Sequence, residues 1–133
     1  MSNVIWITGL SASGKTTLAS GLTKSLKKKG ISTVMLDGDV LRECLDVKQL
    51  NSREDRRKLA YTYSRFARML SNQGVTVVVA TIALFKEIHS WNRENIDGYF
   101  EVFLNVPIEE LKRRDPKGLY KRFFDGEIKD VAG

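Results

Sequence analysis

The chain has 133 residues, of which 42% are hydrophobic and 29% charged, and this composition fits one soluble globular domain and excludes a disordered chain. A single cysteine, Cys44, excludes an internal disulfide and a zinc cluster, and the longest apolar run, residues 75–85, is too short to cross a bilayer. The net charge of +6 is compatible with binding to nucleic acid. An anionic small substrate explains this charge equally well, because basic residues cluster beside motifs of a phosphate-rich site.

The first predicted strand runs into a glycine-rich segment. Residues 4–8 are apolar and β-branched, which is typical of a buried parallel strand, and residues 9–16, GLSASGKT, match the pattern G-x-x-x-x-G-K-[ST]. Leu18, Leu22 and Leu26 then recur four apart and predict one face of a helix. Strand, glycine loop and helix in this order predict a phosphate-binding loop that holds a nucleoside triphosphate.

The chemistry of this loop follows from its backbone. Gly9 and Gly14 allow dihedral angles that a Cβ would forbid, so successive N–H groups can face one concavity near the positive end of the helix dipole. Lys15 can reach the β- and γ-phosphates, and the Thr16 hydroxyl is placed for Mg²⁺. A glycine turn that merely joins strand to helix is the alternative.

Two carboxylates follow the second predicted strand, at residues 33–36, which comes after Gly30 as a helix C-cap. Asp37 and Asp39 flank a glycine at the carboxyl end of this strand, where α/β folds bind ligands. After a phosphate-binding loop, such a pair suggests Mg²⁺ handling and a base for an attacking hydroxyl. The alternative for Asp39 is a helix N-cap, which is compatible with catalysis.

A capping-box pattern at Ser52 opens the next predicted helix, which runs to Gln73. Arg56 and Arg57 lie in its first turn, where positive charge opposes the helix dipole, so we expect at least one of them to clamp an anion. The apolar positions of this helix repeat at helical spacing and are expected in the core: Leu59, Tyr63, Phe66 and Leu70.

The remaining sequence keeps alternating strand and helix. Residues 75–81 predict a central parallel strand, and a helix at 85–95 carries the only histidine, His89, which we expect to be structural or solvated. A strand at 100–104 precedes helical segments at 108–114 and 119–124. Together these elements predict an α/β fold, with a parallel sheet covered by helices on both faces, in a single domain. Cys44 is expected to be a half-buried helical residue.

Several motifs in this order resemble the adenylylsulfate kinase family, whose members transfer the γ-phosphoryl group of ATP to the 3′-hydroxyl of adenosine 5′-phosphosulfate. The motifs are residues 9–17, residues 36–39 with Arg42, residues 54–56 and residues 114–121, RDPKGLYK, which is the most specific. The resemblance covers nearly the whole chain. It implies a P-loop NTPase fold over residues 1–133, ATP and Mg²⁺ as cofactors, and a small-molecule nucleotide as the acceptor.

The resemblance also implies a role for each matching residue. Lys15 and Asp39 would be catalytic, with Asp39 orienting or deprotonating the 3′-hydroxyl, and Thr16 and Asp37 would support Mg²⁺. The residues implied to hold ATP are Gly9, Ser11, Ala12, Ser13, Gly14, Lys15, Thr16, Thr17 and Arg114. The residues implied to hold the acceptor are Asp37, Asp39, Arg42, Asn51, Arg56, Leu59, Ile82, Ala83 and Lys117.

Three departures from the family pattern fall on the acceptor side. Asn51 stands where the family has an aromatic ring that stacks on adenine, Leu59 replaces an asparagine, and residues 80–84, ATIAL, replace a Ser-x-Ile-Ser-Pro segment. The loss of one base–aromatic stack costs about 1–3 kcal/mol. The acceptor is therefore either adenosine 5′-phosphosulfate or, with a changed site, cytidine diphosphoramidate, the acceptor of a related kinase of bacterial capsule modification.

Other classes remain open at this point. A P-loop switch would bind nucleotide and signal by changing shape, and a non-catalytic remnant would have only a structural role. Nucleic-acid binding is disfavoured because the sequence shows no aromatic–basic interleaving. No charged-then-apolar leader opens the sequence, so we expect a cytoplasmic protein without a membrane partner. Family members are often homodimers, so the resemblance implies a homodimer as one option for this chain. They also continue past residue 133 into a lid, a strand and a helix. The sequence is therefore either part of a longer chain or truncated, and we expect the first because a missing strand would leave an exposed sheet edge.

Overall fold

The computed structural model describes residues 3–10, 13–47 and 52–105, and helical segments predicted at 108–114 and 119–124 lie outside these ranges. The described residues form, in order, β1 (Val4–Gly9), α1 (Lys15–Lys28), β2 (Thr33–Asp37), α2 (Gly38–Cys44), α3 (Arg53–Ser71), β3 (Thr76–Thr81), α4 (Lys86–Asn95) and β4 (Tyr99–Leu104). The predicted elements within these ranges are confirmed, with shifts of one or two residues at their ends.

The four described strands form one parallel sheet in the order β2-β3-β1-β4. β1 pairs with β3 so that Thr8 lies opposite Thr81, and β2 pairs with β3 so that Asp37 lies opposite Ala80. Every residue of β3 is buried, because this strand has a neighbour on each side and helices over both faces. The prediction of a central strand here is confirmed.

Helices cover both faces of the sheet, and side chains alternate between them along each strand. On one face, Ile7 and Val78 pack with Ala19 of α1, and Leu22 and Leu26 lie at the margin of this cluster. Leu18, which was expected on the same helix face, is 41% exposed. On the other face, Trp6 of β1 and Val77 and Val79 of β3 pack with residues of two helices. These are Ala60 and Ala67 of α3 and Ile88 of α4.

One expectation, for Cys44, is wrong, and the alternative considered for Asp39 is not observed. Cys44 ends α2 as expected for a helical residue, but it is exposed rather than half-buried, since no residue of this short helix is fully buried. The N-cap of α2 is Asp37 and not Asp39, because Asp37 keeps the extended backbone of β2 and the helix begins at Gly38.

Among the described residues, no helix is long and apolar enough to span a membrane.

The core on the α3 and α4 side can be tested at Ile88, which is fully buried. Because an Ile-to-Ala change removes three buried carbon atoms and leaves a cavity, we expect Ile88→Ala to lower the free energy of unfolding by about 2–5 kcal/mol, measured by urea denaturation. Met69→Ala is the control, because Met69 is 48% exposed and its truncation should cost less than about 0.5 kcal/mol. Equal losses in the two variants would contradict this core.

Candidate active site

The carboxyl ends of β1, β2 and β3 lie at the same edge of the sheet and open into a cleft. The cleft encloses about 750 Å³ including its open mouth. Nine residues predicted for the site line it: Lys15, Thr16, Asp37, Asp39, Arg42, Arg56, Leu59, Ile82 and Ala83. The predicted residues Ser11, Ala12, Asn51, Arg114 and Lys117 lie outside the described residues.

Two glycines shape the loop between β1 and α1. A Cβ on Gly9 would lie 2.8 Å from Ser13 Oγ and 3.1 Å from the carbonyl oxygen of Leu104, so a larger residue does not fit there. Gly14 has φ 96°, in the left-handed region that favours glycine, and it is the N-cap of α1 without a capping side chain. The first N–H groups of α1 therefore face the loop as an anion-binding helix start.

The first turn of α1 carries the three polar residues that were predicted to handle phosphate. Lys15 Nζ donates to the carbonyl oxygen of Leu10 at 3.4 Å, and the side chain lies at the cleft. Thr16 also lines the cleft, whereas Thr17 is exposed next to it. A cation and a hydroxyl thus meet at the positive end of the helix dipole, where negative charge is stabilised.

Asp37 connects three elements through its carboxylate. One oxygen, Oδ2, accepts a hydrogen bond from Thr16 Oγ1 of α1 at 3.1 Å. The other, Oδ1, accepts from the backbone N–H groups of Asp39 at 2.9 Å and Val40 at 3.4 Å, which caps α2. Asp37 therefore holds the end of β2 against α1 and sets the direction in which α2 leaves the sheet.

Three arginines line the cleft: Arg42 of α2 and Arg53 and Arg56 of α3. Arg42 Nε is buried and has no hydrogen-bond partner in the described part of the chain. Arg57, the neighbour of Arg56, instead binds Glu54 through two hydrogen bonds of 2.6 and 2.8 Å. These bonds lower the pKa of Glu54 and raise the pKa of Arg57. Of the two adjacent arginines, Arg56 therefore belongs to the cleft and Arg57 to a surface ion pair.

Tyr63 supports the turn that carries both aspartates. Its hydroxyl donates to the carbonyl oxygen of Gly38 at 3.0 Å, and the residue is only 3% exposed. Burial raises the pKa of Tyr63 well above its usual value, Arg42 opposes this shift, and the carboxylates of Asp39 and Asp37 add to it. The hydroxyl consequently stays protonated and remains a donor at neutral pH. Tyr63 was expected in the core, and the structure adds a polar role at the wall of the cleft.

Apolar side chains complete the cleft at the end of β3 and on α3. Ile82, Ala83 and Phe85 follow β3, and Leu59 faces them from the cleft lining on α3. The carbonyl oxygen of Ala83 accepts from His89 Nε2 at 3.0 Å, so His89 binds the backbone as a structural residue. Leu59 and Ala83, which were noted as departures from the family pattern, both contribute to the cleft lining.

Seven lining residues were not predicted for the site: Gly38, Arg53, Ala60, Tyr63, Ala80, Thr81 and Phe85. Arg53 had a detectable signal, because it belongs to the same basic first turn as Arg56. Tyr63 and Phe85 had none beyond apolar character, since helical spacing indicates burial but not which cavity a buried ring adjoins.

Comparison with known proteins identifies the family. A model of the adenylylsulphate kinase family matches residues 1–133. The cytidine diphosphoramidate kinase of Campylobacter jejuni is 41% identical over 98% of this chain and 76% of its own length. The adenylyl-sulfate kinase of Picosynechococcus is 40% identical over 97% of this chain and 73% of its own. An APS kinase of Mycobacterium tuberculosis, solved with AMPPNP and APS, has a TM-score of 0.86 and 39% identity over 96% of this chain and 76% of that one.

The parallel sheet, the glycine loop and the helix that follows it define a P-loop NTPase fold, as predicted. The chain belongs to the adenylylsulfate kinase family and is a phosphotransferase.

The contribution of Tyr63 can be tested by Tyr63→Phe, which removes only the hydroxyl. Because the Gly38 carbonyl would lose its donor, we expect the free energy of unfolding to fall by about 1 kcal/mol in urea denaturation. Tyr61→Phe is the matched control on the same helix, since Tyr61 packs edge-on against Trp91 away from the cleft. A loss no greater than that of the control would show that the hydroxyl contributes nothing.

Proposed function

We propose that the chain is an ATP-dependent kinase that phosphorylates the 3′-hydroxyl of a nucleotide carrying a small anionic group at its 5′ end. The observation that carries this proposal is the meeting of Lys15 and Thr16, from the phosphate-binding loop, with Asp37 and Asp39 in one cleft. The complex of the Mycobacterium tuberculosis relative with AMPPNP and APS supports a site for two nucleotides.

We assign the phosphates of ATP to the loop at residues 9–17. The left-handed Gly14 and the uncapped start of α1 present backbone N–H groups, and Lys15 adds a positive charge beside them. Phosphoryl transfer asks the protein chiefly to position the reactants and to stabilise charge on the transferred group. The contributions of Ser11, Ala12 and Arg114 stay predictions.

Mg²⁺ fits the oxygen donors between α1 and β2. Thr16 Oγ1 and Asp37 Oδ2 lie 3.1 Å apart, and Mg²⁺ in such sites takes one or two protein oxygen ligands together with phosphate oxygens and waters. When bound, the ion would neutralise charge on the phosphates. Thr16 and Asp37 are therefore the residues that we propose to hold it.

Of the two carboxylates, we assign Asp39 as the base. The oxygens of Asp37 already accept hydrogen bonds from Thr16 and from two backbone N–H groups, which suits an anchor rather than a proton acceptor. Asp39 is exposed at the start of α2 and lines the cleft. Its carboxylate would take the proton of the 3′-hydroxyl as that oxygen attacks the γ-phosphorus and ADP leaves.

Arg42 and Arg56 are proposed to hold the anionic 5′ group of the acceptor. Both line the cleft, and the buried Nε of Arg42 would gain the partner that no described residue supplies. Guanidinium groups bind phosphate and similar oxyanions through paired hydrogen bonds. The positive charge of these two side chains would neutralise the negative charge that the 5′ group of the acceptor brings beside the two aspartates.

The base assignment is tested by Asp39→Asn, which keeps the size of the side chain and removes the proton acceptor. We expect kcat to fall by about 10²–10⁴-fold in a coupled assay of acceptor-dependent ADP release, with little change in the KM for ATP. Glu43→Gln is the control, because Glu43 is an exposed carboxylate on the same helix and does not line the cleft. Unchanged turnover in Asp39→Asn would remove Asp39 from this role.

The acceptor that we infer is cytidine diphosphoramidate. Leu59 and Ala83 line the cleft and depart from the pattern of kinases for adenosine 5′-phosphosulfate, and Asn51 lacks the ring that would stack on adenine. The name of the Campylobacter jejuni relative specifies the cytidine compound. A smaller base requires less stacking area, which agrees with these replacements.

A parallel assay with Mg·ATP and each of the two acceptors, read out by product mass, tests this inference. We expect a higher kcat/KM for cytidine diphosphoramidate, because the altered residues lie on the acceptor side. A preference for adenosine 5′-phosphosulfate would overturn the acceptor and keep the kinase. Tight ATP binding with turnover of neither compound, together with nucleotide-dependent binding of a partner protein, would instead favour a P-loop switch.

A further inference from the structure

We propose that Arg53 reads the base of the acceptor nucleotide and is a specificity-determining residue for a cytosine edge. This inference rests on the proposed function. Its basis is a pair of cleft residues from different elements: the guanidinium carbon of Arg53, at the start of α3, lies 4.6 Å from the centre of the Phe85 ring, which follows β3.

Phe85 cannot itself offer a stacking surface, whereas Arg53 is accessible. The ring is 6% exposed and the arginine is one of the exposed residues of the cleft lining. The electron-rich face of an aromatic ring attracts a guanidinium group and limits the directions in which it can point. Phe85 therefore acts as a support that keeps the donors of Arg53 at the cleft.

The charge of Arg53 is not explained by local stabilisation of α3. A cation in the first turn opposes the helix dipole, and the adjacent carboxylate of Glu54 is bound by both hydrogen bonds from Arg57. In contrast to Arg57, Arg53 lies at the cleft, one turn before Arg56 on the same helix face. The position of Arg53 at the cleft instead suits contact between its guanidinium group and a bound ligand.

Three of the residues of α3 that line the cleft lie at different depths. Tyr63 is deeply buried beside the turn of the two aspartates, Arg56 is half-buried, and Arg53 is exposed. Arg53 lies ten residues before Tyr63 on this helix, which is about 15 Å along the axis. Phosphoryl transfer belongs to the Tyr63 end, so the part of the acceptor farthest from the reacting hydroxyl is expected near Arg53.

The donors of arginine distinguish the two candidate bases. A guanidinium group only donates hydrogen bonds, and it presents two donors side by side. The O2 and N3 atoms of cytosine are two adjacent acceptors, whereas the corresponding edge of adenine places the N6 donor beside the N1 acceptor. A paired contact with Arg53 is therefore available to cytosine and is lost with adenine.

The test compares Arg53→Ala and Arg53→Lys with the unaltered chain in the two-acceptor assay. Because one paired arginine–base contact discriminates about ten- to a hundred-fold, we expect Arg53→Ala to lower kcat/KM for the cytidine compound by that factor through KM. The value for the adenosine compound and the KM for ATP should change less than about threefold. Arg53→Lys keeps the charge and should not restore the preference, since lysine lacks the fork of donors.

Two further variants separate base reading from structure. Arg65→Ala is the matched control, because Arg65 lies over Tyr61 at 5.7 Å on the same helix and outside the cleft lining, and its selectivity should be unchanged. Phe85→Leu keeps apolar bulk and removes the ring, so it should reduce the cytidine preference without abolishing turnover. Equal losses for both acceptors in Arg53→Ala, or no loss, would overturn the assignment.

Binding measurements keep the test independent of catalysis. With AMPPNP present, the affinities of cytidine 5′-diphosphate and adenosine 5′-phosphosulfate are measured by calorimetry for the unaltered chain and for Arg53→Ala. A cytidine preference that disappears in the variant supports base reading by Arg53 even where the kinase proposal fails. The same selectivity in both proteins, or an adenosine preference in the unaltered chain, refutes it.

Discussion

The cleft depends on one constraint, which is that the parallel strands β1, β2 and β3 end side by side at the same edge of the sheet. Thr8 lies opposite Thr81 and Asp37 opposite Ala80, so β1, β3 and β2 stop within about one residue of one another. Chain direction then delivers the glycine loop, the aspartate pair and residues 81–85 to the same edge. A register slip of one residue in β2 would turn Asp37 to the opposite face of the sheet and separate it from Thr16.

Hydrogen bonds between elements hold this edge together. Asp37 joins α1 to α2, Tyr63 joins α3 to the start of α2, and the hydroxyl of Thr8 in β1 lies 3.5 Å from the carbonyl oxygen of Ala83. Each connects segments that are far apart in sequence. The cleft wall is therefore built before a substrate arrives, which is the kind of preorganisation that phosphoryl transfer requires.

Much of the fold was predictable from the sequence because its signals are local. The β-branched run of β3, the glycine loop and the cap at Ser52 each depend on a few neighbouring residues, and Ser52 Oγ does accept from the Asp55 N–H at 3.1 Å. The placement of Lys15 and Thr16 at the cleft was predictable for the same reason, since the motif is recognised together with the strand before it and the helix after it.

The remaining features depend on tertiary contacts that periodicity does not encode. The cap of α2 is Asp37 because the strand continues through that residue, and composition cannot decide between two aspartates two positions apart. Cys44 is exposed because α2 is too short to bury a continuous face. The link from Tyr63 to Gly38 and the contact of Arg53 with Phe85 join residues from separate elements, so only the assembled sheet reveals them.

The contact between Thr8 and Ala83 spans 75 positions of the sequence, and it closes the edge that holds the cleft. A site assembled from such distant segments cannot form in a partly folded chain, because closing a long loop costs entropy that only the completed sheet offsets. Ligand binding at the cleft and global folding are consequently linked. A ligand that binds only the assembled edge raises the free energy of unfolding by RT ln(1 + [L]/Kd). In a cell, the supply of nucleotide would thus contribute to how long each molecule stays folded and resists proteolysis.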